Sequence, residues 1–271
     1  MIPKIIHYCW YGNKEKPVKF LKYMDTWKKI GGGGDKAVEW NETNCDLQCN
    51  NYIRKAVENK NWAFVSDYFR LKALYEFGGI YLDTDVEVYK SFDDLLNKKG
   101  FVGYMHDALI GTAVLGFEKE NVFIKKLLDL YDSAEWIEGR YDLFRIKFEN
   151  GDSYLCNANN SVFTWAIFHF YKDFKLDGKY QETADFSIFP KTEFEIGTFW
   201  GKRSHCVHRC ESSWKTKNNK KELYKVVKNA VKYIPIIHMD AIIRNISYKK
   251  HMQKSVFYER YLHDTAIHEE N

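Results

Sequence analysis

An α/β domain is the fold class that this sequence predicts, and three observations carry it. At 271 residues the chain is long enough for one large domain with a well-buried core. Short β-branched and aromatic runs alternate along it with segments whose apolar residues recur at helical spacing. Residues 62–88 read without interruption as a helix, a Gly-Gly reversal and a strand.

Taken in order, Ile2 to Gly12 is a short apolar run closed by a glycine, a buried first strand whose end projects towards a loop. His7 within it reads as a satisfied buried histidine. From Pro17 to Ile30, residues Val18, Leu21, Met24, Trp27 and Ile30 fall on one stripe, which predicts a packing helix with Pro near its start and Gly31 past its end. Gly31 to Gly34 form a loop that no Lys-Ser/Thr follows, so it is not a phosphate loop. Val38 to Asn41 reads as a second strand and Asn51 to Asn59 as a helix.

The helix Trp62–Tyr75 places Asp67 and Arg70 on one face, either as an ordinary intrahelical ion pair or as a functional one. Gly78-Gly79 then frees the backbone for a reversal, and Ile80 to Tyr89 reads as one strand. Side chains at i and i+2 of a strand share a side roughly 6.5–7 Å apart, so Asp83 and Asp85 form a paired carboxylate. Such a pair is either solvated at a turn or gathered around a cation that relieves its repulsion. Beyond it, Ser91 to Leu96 looks like a capped turn, Phe101–Tyr104 and Ala113–Phe117 like strands joined by Leu109–Ala113, and Asn121–Tyr131 like an amphipathic helix. Residues 132–186 carry the weakest pattern.

The ordered block Ala63, Ser66-Asp67, Arg70, Leu74-Tyr75, Gly78-Gly79-Ile80-Tyr81-Leu82-Asp83-Thr84-Asp85 closely resembles the signature of the DxD sugar-binding glycosyltransferases of family 32. That family is related to yeast initiating mannosyltransferases, bacterial capsule and surface-polysaccharide transferases and clostridial glucosylating toxins. Ile2-Pro3-Lys4-Ile5-Ile6-His7 with Trp10 resembles its opening motif, and His205 to Trp214 its closing one. The segment Tyr154–Ser161 matches the family's acceptor-side loop poorly.

The resemblance implies a GT-A-type fold with a mixed, mainly parallel sheet flanked by helices, and a retaining transferase using Mn²⁺ or Mg²⁺. It implies that Trp10, with Tyr11 beside it, stacks on the nucleotide base, that His208 approaches the metal or diphosphate, and that Ser212, Ser213 and Trp214 cover the phosphates. Core packing is the competing reading of Trp10. Hard oxygen ligands suit such a cation. Asp85 is expected to bind it directly, with Asp83 reaching donor hydroxyls and metal-bound water, Asp67 holding donor-sugar hydroxyls, and Arg70 pairing with sugar or phosphate oxygens. The cysteines and histidines of 205–210 offer a rival, half of a zinc site completed by Cys45 and Cys49.

Charge divides the chain. Eleven Lys/Arg against Glu222 and Asp240 between Lys215 and Lys254 leave about +9 there, so the remainder of the +4 chain is near −5. We therefore expect a catalytic domain over 1–214 and a basic helical extension over 215–271 packed on it, either solvated or resting on an anionic membrane surface. No apolar stretch reaches the ~18–20 residues of a membrane span. With no charged-then-apolar leader, a cytoplasmic enzyme is expected, free or peripheral on the inner face of the membrane, with its cysteines as thiols.

The expected donor is a nucleotide sugar, UDP-galactose or UDP-glucose favoured, and the expected acceptor a saccharide or lipid-linked saccharide in surface polysaccharide synthesis, with no nucleic acid as partner. A metal-dependent phosphodiesterase or a non-catalytic carbohydrate-binding protein are the alternatives.

Overall fold

The computed structural model describes residues 1–30, 37–198, 204–211 and 239–266. Its elements in chain order are β1 (Ile6–Cys9), α1 (Val18–Met24), β2 (Ala37–Trp40), α2 (Asn51–Glu58), α3 (Trp62–Phe77), β3 (Gly79–Leu82), β4 (Val86–Val88), β5 (Gly100–His106), β6 (Leu109–Phe117) and α4 (Val122–Asp132). They continue with β7 (Glu135–Trp136), β8 (Phe144–Lys147), β9 (Ser153–Cys156), α5 (Asn159–Phe170), β10 (Gln181–Glu182), β11 (Ser187–Phe189), α6 (Lys191–Phe194), β12 (Cys206–His208), α7 (Met239–Met252) and α8 (Tyr258–Ala266).

The central sheet has seven strands in the order β10-β11-β5-β6-β3-β1-β2. Five of them, β11, β5, β3, β1 and β2, run one way, and β6 and β10 oppose them. This is the mixed, mainly parallel sheet that the family resemblance implies, in the α/β domain that the sequence predicts. Hydrophobic helices cover it, and α3 shows why: Val65, Phe69, Leu71, Ala73 and Leu74 are buried around its circumference, so α3 is enclosed by sheet and helices rather than lying on the surface.

The Gly78-Gly79 reversal is a steric necessity. Both residues have positive φ, +64° and +114°. A Cβ on Gly78 would lie 2.6 Å from the Lys119 backbone nitrogen, and one on Gly79 2.5 Å from the Ile5 carbonyl oxygen. The pair therefore lets α3 drop directly into β3 beside β1.

Three expectations need correction. The strand read over Ile80–Tyr89 is two strands: the chain turns at Asp83–Asp85, where Val86 N–H donates to the Asp83 carbonyl at 2.9 Å, and β4 leaves the central sheet to pair with β12. The helix read over Pro17–Ile30 stops at Met24 and tightens into a 3₁₀ turn over Asp25–Ile30, so Val18 and Leu21 stay exposed while Phe20, Trp27 and Ile30 are buried. Leu109–Ala113 is not a link between strands but the first half of β6. Residues 132–186 resolve into the three-stranded sheet β7-β8-β9, α5 and β10.

The described part of the C-terminal segment is built into the domain. Tyr248, Met252 and Phe257 are buried, Phe257 against the Trp165 ring at 4.7 Å, and buried Asp264 accepts the Leu176 backbone N–H at 2.9 Å. No helix among the described residues is long and apolar enough to cross a membrane. The Gly31–Gly34 loop and the helical pattern of residues 218–234 lie outside the described residues.

Candidate functional site

The site grows from the shared edge of β1 and β3. These neighbours are parallel, with His7 opposite Tyr81, so Trp10 and Asp83 emerge at the same carboxyl-end edge of the sheet. That edge is where open α/β sheets place their ligands. His7 itself is a buried strut: the Trp40 indole N–H donates to Nδ1 at 3.2 Å, and Nε2 donates to the Gly78 carbonyl at 2.8 Å.

Asp67 and Arg70 do more than pair on one helix. Arg70 Nη2 lies 2.9 Å from Asp67 Oδ1, while Nη1 donates to the Thr112 carbonyl at 2.7 Å and stands 3.6 Å from Asp83 Oδ1. The guanidinium also covers the Tyr81 ring at 4.6 Å, and the Tyr81 hydroxyl donates to Asp83 at 3.0 Å. Arg70 is thus a buried bridge between two carboxylates. Burial pushes Asp67 up to about 6, with Arg70 and the Asn159 backbone N–H pulling the other way. Asp83 is raised too, by burial first and by Asp85 among lesser causes.

Asp85 ends the turn on the other side. Its Oδ2 accepts the Glu211 backbone N–H at 2.7 Å, its carbonyl accepts the Arg209 N–H at 2.9 Å, and His208 Nε2 stands 3.3 Å from its Oδ1. The β4–β12 ladder, which sets His208 opposite Val86, brings the closing motif here. Burial would raise Asp85, but His208 and the backbone donors hold it below the usual carboxylate range. His208 is raised well above the usual imidazole value: burial opposes this, and Cys210, Glu195 and Asp85 outweigh it.

Asp83, Asp85 and His208 each offer a ligand atom, and these atoms lie within 4.8 Å of one another. Two carboxylates and an imidazole at that spacing fit Mn²⁺ or Mg²⁺, and burial, with the charge of Asp85 adding to it, already lifts Asp83 in a way that a divalent cation would relieve. The zinc alternative is not assembled: of its residues only His208 and Cys210 fall in a metal-type group, with Glu195 and without Cys45 or Cys49. Among the described residues no metal-type cluster includes Cys45, Cys49, His205 or Cys206. Cys45 meets the Tyr11 hydroxyl at 3.0 Å, and buried His205 is held between Glu193 and Asp94.

The two aromatics at the end of β1 separate. Tyr11 is buried, lying parallel to the Trp62 ring at 6.1 Å. Trp10 is half-buried, donates its indole N–H to the Lys14 carbonyl at 2.6 Å, and has the Lys16 ammonium 5.6 Å from its ring centroid. Ser212, Ser213 and Trp214 lie outside the described residues.

Three polar residues at the site escaped the sequence reading. Glu195, one residue past α6, is 4% exposed and faces His208 Nδ1 at 3.0 Å. Arg244 and Tyr248 of α7 reach the same carboxylate. A signal for the latter two existed, since Arg244, Tyr248 and Met252 recur every four residues on the inward stripe of α7. Glu195 had no such signal, because its partners are distant in sequence.

Residues 17–102 match the family described as glycosyltransferase sugar-binding region containing DXD motif. An uncharacterized protein of Arabidopsis thaliana, At4g19900, is 39% identical over 66 residues, which are 24% of this chain and 10% of that protein. Inositol phosphoceramide mannosyltransferase 3 of Schizosaccharomyces pombe is 27% identical over 130 residues, 47% of this chain and 36% of that protein. The chain thus spans a tenth and about a third of the lengths of these curated relatives. A solved structure titled PaToxG Glycosyltransferase is similar at 24% identity and a TM-score of 0.45, covering 63% of this chain and 70% of that one. The matched stretch holds Asp67, Arg70, Asp83 and Asp85, and the match supports a DXD glycosyltransferase.

Proposed function

We propose that the protein is a metal-dependent, retaining glycosyltransferase that moves a hexose from a nucleoside diphosphate sugar to a saccharide or lipid-linked saccharide. The observation that carries this is the clustering of Asp83, Asp85 and His208 within 4.8 Å, with the Asp67–Arg70 pair abutting Asp83. UDP-galactose or UDP-glucose is the favoured donor and a bacterial surface-polysaccharide intermediate the favoured acceptor. The family 32 resemblance of residues 63–85 is the ground for both.

In this reading Asp85 and His208 hold the cation, with Asp83 beside them reaching donor hydroxyls and metal-bound water. When bound, Mn²⁺ or Mg²⁺ neutralises charge on the departing diphosphate. The carboxylate of Asp67 accepts donor-sugar hydroxyls, and Arg70 bridges Asp67 and Asp83 while offering positive charge to sugar or phosphate oxygens. Trp10 stacks on the base, and Ser212, Ser213 and Trp214 close over the phosphates. The bond from the anomeric carbon to the diphosphate breaks, the acceptor oxygen bonds to that carbon from the same face, and the acceptor proton passes to the leaving phosphate oxygen. No side chain is assigned as covalent nucleophile, so internal return is the default.

Residues 1–214 form the catalytic part in this reading, and the described helices beyond it, α7 and α8, cap it on a basic segment that can rest on an anionic membrane from the cytoplasmic side. Thermal-shift screening with UDP-galactose, UDP-glucose, UDP-N-acetylglucosamine and GDP-mannose, with and without Mn²⁺, tests the reading. Stabilisation by one donor only when Mn²⁺ is present is expected. Phosphodiester cleavage without sugar transfer would favour a phosphodiesterase, and metal-independent sugar binding a carbohydrate-binding protein.

A further inference from the structure

Glu195 sits at the meeting point of the metal-type cluster and the C-terminal helix. Its carboxylate stands 3.0 and 3.1 Å from His208 Nδ1, accepts Arg244 Nη2 at 3.1 Å, and accepts the Tyr248 hydroxyl. The backbone joins in, since the His208 N–H donates to the Glu195 carbonyl at 3.1 Å. Glu195, His208 and Cys210 also have ligand-type atoms within 4.8 Å of one another. That trio is not a second metal centre, because a cation already occupies it: Arg244 Nη2 lies 3.3 Å from Cys210 Sγ and 3.0 Å from the Tyr248 hydroxyl as well.

His208 therefore has its two ring nitrogens committed in opposite directions, Nδ1 to Glu195 and Nε2 to Asp85. A carboxylate accepting Nδ1–H fixes both the tautomer and the ring plane of an imidazole, leaving the Nε2 lone pair for a metal. We propose that Glu195 is the positioning residue of the metal site, orienting His208 through Nδ1, and that α7 holds it in place through Arg244 and Tyr248. The inference rests on the metal-binding part of the proposed function and makes the C-terminal helix a component of that site.

The test is Mn²⁺ binding to the full chain at fixed pH, read from the electron paramagnetic resonance of free Mn²⁺, beside unfolding temperatures in metal-free buffer. Wild type is expected to bind, and the isosteric Glu195→Gln variant to bind about 10–100-fold more weakly at little changed unfolding temperature. Tyr248→Phe, which removes one support of Glu195, is expected to weaken binding in the same direction by a smaller factor, and it carries the test should Glu195→Gln not fold. A folded variant of either kind that binds Mn²⁺ as wild type does would overturn the positioning role and leave the proposed function standing. Failure of wild type itself to bind Mn²⁺ would overturn both.

Discussion

His208 Nε2 and Asp85 Oδ1 stand 3.3 Å apart across the β4–β12 ladder, joining the closing motif of the chain to its paired carboxylates. Without a metal they form an ion pair, which holds Asp85 ionised and ready to ligate. Replacing Asp85 by Asn keeps an acceptor for the Glu211 N–H and leaves Glu195 to neutralise His208, so the fold should survive. Charge stabilisation of several kcal/mol is lost with the ligand, which corresponds to about a 10³-fold fall in kcat/KM. Asp85→Asn should therefore be inactive at a near-normal unfolding temperature, and excess chelator should silence wild type. Full turnover in either case would remove Asp85 from the metal site.

Asp67 predicts an acid limb. Burial lifts its carboxyl to about 6, and the proposed role needs it ionised to accept sugar hydroxyls. The pH profile of kcat/KM reports the free enzyme, so it should fall about tenfold per unit below that value. Stability moves the opposite way. Between about pH 4 and 6 the folded chain keeps a proton here that the unfolded chain has released, so this group's contribution is full below that window and is lost as pH rises through it. Asp67→Asn should give a low, flat profile; an unchanged limb in that variant would assign it to another group.

Trp10 is held by a bond to the Lys14 carbonyl and by Phe20 at 5.9 Å, yet it remains half-buried at the edge where the donor would lie. Stacking on a base is made equally in ground and transition states, so its loss should raise the donor KM rather than lower kcat. About 1–3 kcal/mol per stacked base predicts a KM raised roughly 5–150-fold in Trp10→Ala. Unfolding of the variant with unchanged donor affinity in the folded fraction would make Trp10 a packing residue.

Why some of this was visible in sequence and some was not has a physical answer. Asp67, Arg70, Gly78, Gly79, Asp83 and Asp85 lie within one helix-turn-strand unit, so local spacing is enough to place them near one another. His208 came from the resemblance, because only the β4–β12 pairing brings it to Asp85. The break at Asp83 was hidden because Val86–Tyr89 continues a β-type pattern; the strand ends there because β4 exchanges its partner for β12. Glu195 was illegible for a related reason: a buried acid is recognised by the cations and hydrogen-bond donors it meets, and Arg244 and Tyr248 come from another element.

Phe257 tests whether the C-terminal helices are structural. It is 1% exposed, between Trp165 at 4.7 Å and Phe168 at 6.2 Å, at the junction of α7 and α8. Removing a fully buried phenyl ring costs about 3–5 kcal/mol. Phe257→Ala should lower the unfolding temperature by several degrees or more and weaken metal binding through the loosened Arg244 and Tyr248. A variant as stable as wild type would show that α7 and α8 are an appendage.

The outward face of α7 is the described remnant of the basic segment. Lys249 and Lys250 are exposed on it and Lys254 in the turn after it, with Ile246 55% exposed on α7 and Val256 74% exposed in that turn, while no acidic residue occurs between Arg244 and Lys254. Tyr248 and Met252 point into the domain, so Lys249 and Lys250 are directed outward by the same helical period that buries those two. Each basic residue near an anionic bilayer contributes on the order of 1 kcal/mol, and the attraction is screened within a Debye length of roughly 10 Å at 0.1 M salt. Three lysines and two apolar side chains therefore predict weak, reversible binding that is lost at high salt. Co-sedimentation with phosphatidylserine-containing and purely zwitterionic vesicles should show pelleting with the former alone at low salt. Replacing Lys249, Lys250 and Lys254 together by Glu should reduce it without lowering transfer to a soluble acceptor. Equal behaviour of the two vesicle types, or a triple variant that pellets as wild type does, would leave this face as a solvated surface of the cap.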